Sequence, residues 1–302
     1  MSLAFDHHPV RLRRSVLCLP ASNSRAIDKL ESLDADAVIL DLEDAVAEEK
    51  KQEARDNIRA FFASGRRKAR RELIIRVNEA GSAHVTEDMA LVLECEPDAV
   101  LLPKVRAQDD ILEISGQLSE SDAPESLRIW AMMETPLAIL NAGSIAEAGR
   151  TSGGRLDCLV VGLNDLRKDT GVPSDPARTY LVPWLMQVVL AGRAFGLTVI
   201  DSVSNEFREL AGYEAECAQG RAMGFDGKML IHPAQISGAN RAFAPSAAEI
   251  ADAEEIIAAF SAPGAGAANA ISINGRMVER LHLEQAGRLA ARARMIRERT
   301  DT

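Results

Sequence analysis

Two acids, Glu134 and Asp165, each stand near the end of a short apolar run (128–135 and 156–165) and just ahead of a segment with helical spacing. Carboxylate oxygens so placed suit a hard divalent ion such as Mg²⁺, which takes one or two carboxylates and completes its octahedron with water and substrate oxygens. The plainer alternative is that both acids only cap the helices that follow, because Pro136 and Leu166 fall where helix starts are expected. Their company favours the ion. Asp41, Glu43 and Asp44 close the run 37–44, while Arg76 and Asn78 end the run 73–78. Lys104 follows Leu101-Leu102-Pro103, and Asn164, Asp201 and His232 belong to later runs. Like charges brought together without a cation raise each other's pKa and cost stability.

Arg76, inside Ile74-Ile75-Arg76-Val77-Asn78, needs an acidic partner or a planar anionic ligand. As a functional group it would bind a substrate carboxylate or carbonyl oxygen; as a structural one it would pair with Glu43 or Asp44. Both can hold together. Lys104 could form a Schiff base only with a lowered pKa, and surrounding carboxylates keep an amine protonated. A salt bridge within the same cluster suits it better.

These residues converge only if the elements bearing them share one rim. Eight short apolar runs (14–20, 37–44, 73–78, 99–105, 128–135, 156–165, 197–203 and 227–233) alternate with segments of helical period. The helical segments are 24–33, 46–63, 83–95, 108–119, 136–148, 178–195, 206–223 and 234–242, with a further helix at 247–260. Repeated strand-then-helix order implies a parallel sheet, and eight units close a (β/α)₈ TIM barrel, an α/β fold whose chemistry sits at the C-terminal ends of the strands. An open doubly wound sheet is the alternative. The Ala- and Gly-rich stretch 261–270 reads as a linker, followed by a turn or hairpin at 271–276 and a helix from about 278 to 297. The chain therefore divides into a barrel over 1–260 and a linker with a C-terminal helical extension over 261–302. That extension serves as a lid or oligomerisation segment that packs on the barrel or a neighbouring subunit, or else remains a solvated tail.

Composition narrows the partners. The 302 residues hold 45 acids against 35 bases, a formal charge of −10, so nucleic acid is not an expected partner. No apolar run approaches the roughly 20 residues that cross a bilayer, and the N-terminus, with Asp6, His7, His8 and then Arg11, Arg13 and Arg14, lacks a secretory pattern. A soluble, cytoplasmic protein is expected. The four cysteines, Cys18, Cys95, Cys158 and Cys217, lie far apart without a C-x-x-C pair, as free thiols would.

The sequence also resembles a known family. Arg14-Ser15-Val16-Leu17 through Pro20 and the segment from Asp36 to Val46, with its Asp41-Leu42-Glu43-Asp44, carry the likeness. So do Arg76-Val77-Asn78, Pro103-Lys104, Glu134-Thr135-Pro136, Gly162-Leu163-Asn164-Asp165-Leu166, and the run from Gly224 through Gly227-Lys228 to Ile231-His232-Pro233. Together they resemble the citrate lyase beta-subunit-like family of the HpcH/HpaI aldolase superfamily, which includes malyl-CoA and citramalyl-CoA lyases. The resemblance implies an Mg²⁺-dependent barrel lyase that splits a carbon–carbon bond in a 3-hydroxyacyl thioester, commonly of coenzyme A. By matching motif, Glu134 and Asp165 become metal ligands, and Arg76 binds the reacting oxyanion. Glu43 and Asp44 hold metal-bound waters or Arg76, while Arg14, Asn23, Arg25 and Lys29 meet the thioester carrier.

The chain departs from the pattern at Glu279, where the resemblance implies an aspartate acting as acid or base, often in a neighbouring subunit's site. The extra methylene moves the carboxylate by about 1.5 Å, enough to cost roughly a hundredfold in rate if nothing adjusts. As a solvated helix charge, Glu279 would have no catalytic part. A homo-oligomer, trimer or hexamer, is expected. Two other readings stay open: an aldolase acting on free keto acids without CoA, and a citrate lyase beta-type subunit that needs partner chains.

Overall fold

The computed structural model describes residues 11–65, 71–262 and 268–300. Asp6, His7 and His8, and part of the expected linker, lie outside the described residues. Eight parallel strands form a closed barrel: β1 (Ser15–Pro20), β2 (Ala37–Asp41), β3 (Glu72–Arg76), β4 (Ala99–Leu102), β5 (Arg128–Met133), β6 (Leu156–Val161), β7 (Thr198–Asp201) and β8 (Gly227–Leu230). β8 closes on β1 with Ser15 opposite Lys228. Gly227 is required there, because a Cβ would lie 1.8 Å from the Arg13 carbonyl oxygen.

Strands buried on both faces explain why the runs read as continuous apolar stretches. Inward residues Val16, Ile39, Ile74, Leu101, Trp130, Met132, Val160 and Ile200 fill the barrel. Their outward neighbours, such as Leu17, Leu40, Ile75, Val100 and Leu159, pack under the helices. Most strands end several residues before the apolar runs do, and the surplus becomes the loops that carry the polar residues. The run 156–165 shows why: after Gly162 the chain starts the helix Leu163–Thr170, which the sequence does not announce. Only Leu163 and Leu166 of that helix are buried, so its pattern is too polar to register as helical. The expected helix 136–148 breaks at Asn141 into Pro136–Leu140 and Ala142–Glu147, followed by a turn of 3₁₀ helix.

A buried ion cluster closes the N-terminal end of the barrel. Arg13 Nε and Nη2 donate to Glu72 at 2.7 and 2.6 Å, Nη1 donates to Thr198 at 2.9 Å, and Nη2 also meets Asp157. Its guanidinium carbon lies 4.7 Å from the centroid of the Trp130 ring. Removing one member of a buried ion cluster strands the others in a dry site. Arg13→Met is expected to cost about 3 kcal/mol, the low end for breaking a buried pair, measured as a lower urea midpoint; an unchanged midpoint would contradict this role.

The chain divides into two compact units, with the barrel at Arg13–Phe243. The second unit takes the chain from Ala244 onward, so the helix Ala247–Ser261, expected within the barrel portion, belongs to it instead. There Ala253, Ile256 and Phe260 pack with Ile273, Val278 and Ala286. The hairpin β9 (Ala270–Ile273) and β10 (Arg276–Glu279) turns at Asn274-Gly275, both with positive φ, and leads into the helix Arg280–Thr300. Contact with that cluster explains why the extension is more than a solvated tail. Among the described residues, no helix is long and apolar enough to cross a membrane.

Candidate active site

The polar residues collect at the C-terminal strand ends, as a closed barrel requires. In-register pairing sets Asp41, the last residue of β2, opposite Arg76, the last of β3. Arg76 Nε and Nη2 donate to the two Asp41 carboxylate oxygens at 2.6 and 2.7 Å, and Nη1 lies 3.0 Å from Glu43 Oε2. Asp41 is thus the main partner of Arg76, and the expected Glu43 is a second one. Asp44 is exposed and lies 3.6 Å from Lys104 Nζ. Arg76 is held firmly protonated: burial opposes the charge, but Asp41 and then Glu43 outweigh it.

Glu43 is buried, with Oε1 3.0 Å from Lys104 Nζ. Neither of its carboxylate oxygens has a hydrogen-bond partner among the described residues. Burial pushes its pKa up, while Arg76 and Lys104 pull it back.

Glu134 follows β5 directly and is 1% exposed. Thr135 then caps the next helix by accepting from the Ala138 N–H, with Pro136 as the first helical residue. The cap belongs to Thr135, which frees Glu134 for other work. Its Oε1 accepts from the Lys104 N–H at 2.8 Å. Burial, with the nearby charges of Glu43 and Asp165, raises its pKa to about 8 against the pull of the Lys104 N–H and Arg76. Asp165 lies half-buried in the first turn of the helix Leu163–Thr170, on the strand end next to that of Glu134. A carboxylate held neutral by burial beside a second acid is an oxygen site that a cation would relieve. Among the described residues, no group of three or more His, Cys, Asp or Glu is arranged to hold a metal.

Gly162 makes room for Glu134. A Cβ there would stand 2.5 Å from Glu134 Oε2 and 2.6 Å from its Cβ. Gly162→Ala is therefore expected to push the Glu134 carboxylate aside; a crystal structure of the variant checks this, and an unmoved carboxylate would refute it.

The other expected residues separate. Arg14 lies at the opposite end of the barrel, just before β1, and is buried. Its backbone N–H and Nε both reach Asp36 Oδ2 at 2.8 Å and its Nη2 reaches Oδ1 at 2.9 Å, so it cannot meet a carrier at the mouth. Asn23, Arg25 and Lys29 lie exposed after β1, where Asn23 caps the helix Ser24–Asp28 by accepting from the Ala26 N–H. Glu279 ends β10 in the C-terminal unit, half-buried, its N–H donating to His282 Nδ1 at 2.9 Å. Asp201 faces the helix layer instead of the mouth: both its oxygens accept from Arg178 Nη1, at 2.7 and 2.9 Å, and Oδ2 accepts from Lys228 at 3.1 Å. His232 is exposed, stacks on Phe207 and accepts from the Ala234 N–H.

Residues 14–233 match the HpcH/HpaI aldolase/citrate lyase family. The chain belongs to that family. Among its relatives, a (3S)-malyl-CoA thioesterase of Cereibacter sphaeroides is 41% identical over 97% of this chain and 98% of its own. The mitochondrial citramalyl-CoA lyase of Homo sapiens is 33% identical over 97% of this chain and 89% of its own. The crystal structure of CitE from Mycobacterium tuberculosis, in complex with magnesium, acetoacetate and coenzyme A, superposes with a TM-score of 0.70 at 28% identity, covering 92% of this chain and 97% of that one. This HpcH/HpaI enzyme shares the closed eight-stranded barrel of those neighbours.

The Arg178–Asp201–Lys228–Glu216 network, in which Lys228 also donates to Glu216 at 2.6 Å, is not a grouping the sequence points to. The signal in the sequence is a lysine in the second position of the run 227–233, which the structure buries completely. Asp41 was visible as part of the cluster, but only the strand register assigns it to Arg76.

Proposed function

We propose that this HpcH/HpaI enzyme binds Mg²⁺ through Glu134 and Asp165 and cleaves a 3-hydroxyacyl-CoA thioester of malyl-CoA or citramalyl-CoA type into acetyl-CoA and a keto acid. The observation carrying this reading is the buried Glu134, one oxygen fixed by the Lys104 N–H and the other left for a ligand. When bound, the ion would supply Lewis-acid polarisation of the substrate hydroxyl and carboxylate. Arg76, its Nε and Nη2 engaged by Asp41 and its Nη1 3.0 Å from Glu43, offers its remaining N–H to the oxygen that gains charge as the thioester enolate departs. Glu43 holds the other side of that guanidinium. Arg25 and Lys29 meet the phosphates of the carrier, and Glu279 is the acid and base in an oligomeric assembly: as a carboxylate it takes the substrate hydroxyl proton as the carbon–carbon bond breaks, then gives that proton to the enolate carbon. In reverse, the same residues perform a Claisen-type condensation.

A second reading, thioester hydrolysis, is favoured by the 41% identical malyl-CoA thioesterase. One assay separates the two. (3S)-malyl-CoA and citramalyl-CoA are incubated with and without Mg²⁺, and the products are resolved. Acetyl-CoA with glyoxylate or pyruvate supports the lyase; free CoA with the intact hydroxy diacid supports hydrolysis. Mg²⁺-independent turnover would refute the metal reading, and turnover by the purified chain alone excludes dependence on partner subunits.

The raised pKa of Glu134 gives the metal reading a pH signature. Below about 8 the ion must displace a proton from Glu134, so apparent affinity is expected to rise about tenfold per unit from pH 6 to 8 and then level off. Calorimetry at pH 7 in buffers of different ionisation heat should show about one proton released per ion bound. Release of none would place the ion elsewhere.

A further inference from the structure

Lys104 joins both halves of the mouth. It follows Pro103 beyond β4 and holds a left-handed backbone conformation, φ 51°, which a lysine adopts only at a cost. That conformation lets one residue face two ways. Its N–H donates to Glu134 Oε1 at 2.8 Å, while its Nζ lies 3.0 Å from Glu43 Oε1, 3.6 Å from Asp44 and 4.0 Å from Glu79. The Lys104 ammonium and Arg76 Nη1 are the cations on either side of Glu43, each 3.0 Å from one of its oxygens. The Glu43 carboxylate is therefore held by these two cationic contacts, one to each oxygen. Without the ammonium, Glu43 is free to turn its second oxygen onto Arg76 as well and take up the N–H that its present contact with Nη1 leaves for substrate.

We propose that Lys104 is a positioning residue with two separable duties: its backbone presents Glu134 to the ion, and its side chain holds Glu43 so that Arg76 keeps a donor for substrate. The first duty rests on the reading of Glu134 as a metal ligand; the second does not.

Five variants of the full chain separate the duties, read by Mn²⁺ affinity of the substrate-free protein and by kcat and KM. Lys104→Met keeps the N–H and removes the charge, and is expected to leave Mn²⁺ affinity within about twofold while kcat falls about 10- to 100-fold, the scale of a misplaced catalytic group. KM should change little, because the loss falls on the transition state. Lys104→Arg should recover most of kcat, which a purely structural role would not require. Lys104→Gly, at ease with positive φ, should match Lys104→Met in both readouts. Lys104→Ile resists that φ and should weaken Mn²⁺ binding by about tenfold relative to Lys104→Gly, as expected for loss of ligand support. If Lys104→Ile does not fold, Lys104→Ala should show a smaller loss of the same sign.

Equal Mn²⁺ affinity in the Gly, Ala and Ile variants would overturn the backbone duty, and wild-type kcat in Lys104→Met would overturn the side-chain duty. Wild-type protein that bound no Mn²⁺ would instead contradict the metal reading and the backbone duty that rests on it. The Met and Arg rates would still decide the other duty.

Discussion

Glu134→Gln is expected to lower Mg²⁺-dependent turnover by at least about 10³-fold, because a polarising ion contributes several kcal/mol to the transition state and each 1.36 kcal/mol is a factor of ten. The amide can still accept from the Lys104 N–H, so the fold around it should persist. Stability should move the other way. The Glu134 pKa is raised from its ordinary value to about 8 by burial, so the stability of the neutral form is complete at low pH and is lost as pH rises through 8. Glutamine never ionises. The ion-free variant should therefore melt above ion-free wild type at pH 8 and match it near pH 4. Turnover within tenfold of wild type would contradict the ligand role, and a melting difference of opposite sign would contradict the effect of burial on Glu134.

Arg76→Met should damage activity and stability together. The guanidinium lies between Asp41 and Glu43, both buried, and its removal strands Asp41 and leaves Glu43 with Lys104 alone. Breaking a buried pair costs about 3 to 5 kcal/mol, and loss of one oxyanion donor costs about 10² to 10³ in kcat. Arg76→Lys restores the charge without the two-pronged contact to Asp41, so it should recover part of the stability and little of the rate. The double variant Asp41→Asn/Arg76→Met separates the effects. It should regain stability in urea and remain slow, whereas recovery of rate would show that Arg76 acts only as a structural counter-ion.

The barrel was legible because its strands are buried on both sides and so read as apolar runs with polar ends. Glu134, Asp165, Arg76, Glu43 and Lys104 stood out because charged residues beside such runs are costly without a role. The partner of Arg76 was not legible, since Asp41 meets it only through the register of β2 on β3. Asp201, Arg178 and Lys228 meet across 23 and 27 residues of chain, and an outward-facing strand position looks the same as a rim position in sequence. Arg14 is a different case. It begins the first run, and in a parallel barrel the start of a strand points away from the mouth, so strand direction alone would have removed it from the carrier site. The helix Leu163–Thr170 escaped notice because it buries only two leucines, although it carries Asp165.

The metal site bears the weight of the account, and a crystal grown with Mn²⁺ in place of Mg²⁺ tests it most directly. The expected anomalous peak lies about 2.0 to 2.2 Å from one oxygen of Glu134 and one of Asp165, with water filling the remaining positions. No peak between those two acids, or a peak elsewhere in the barrel with both carboxylates turned away, would contradict it.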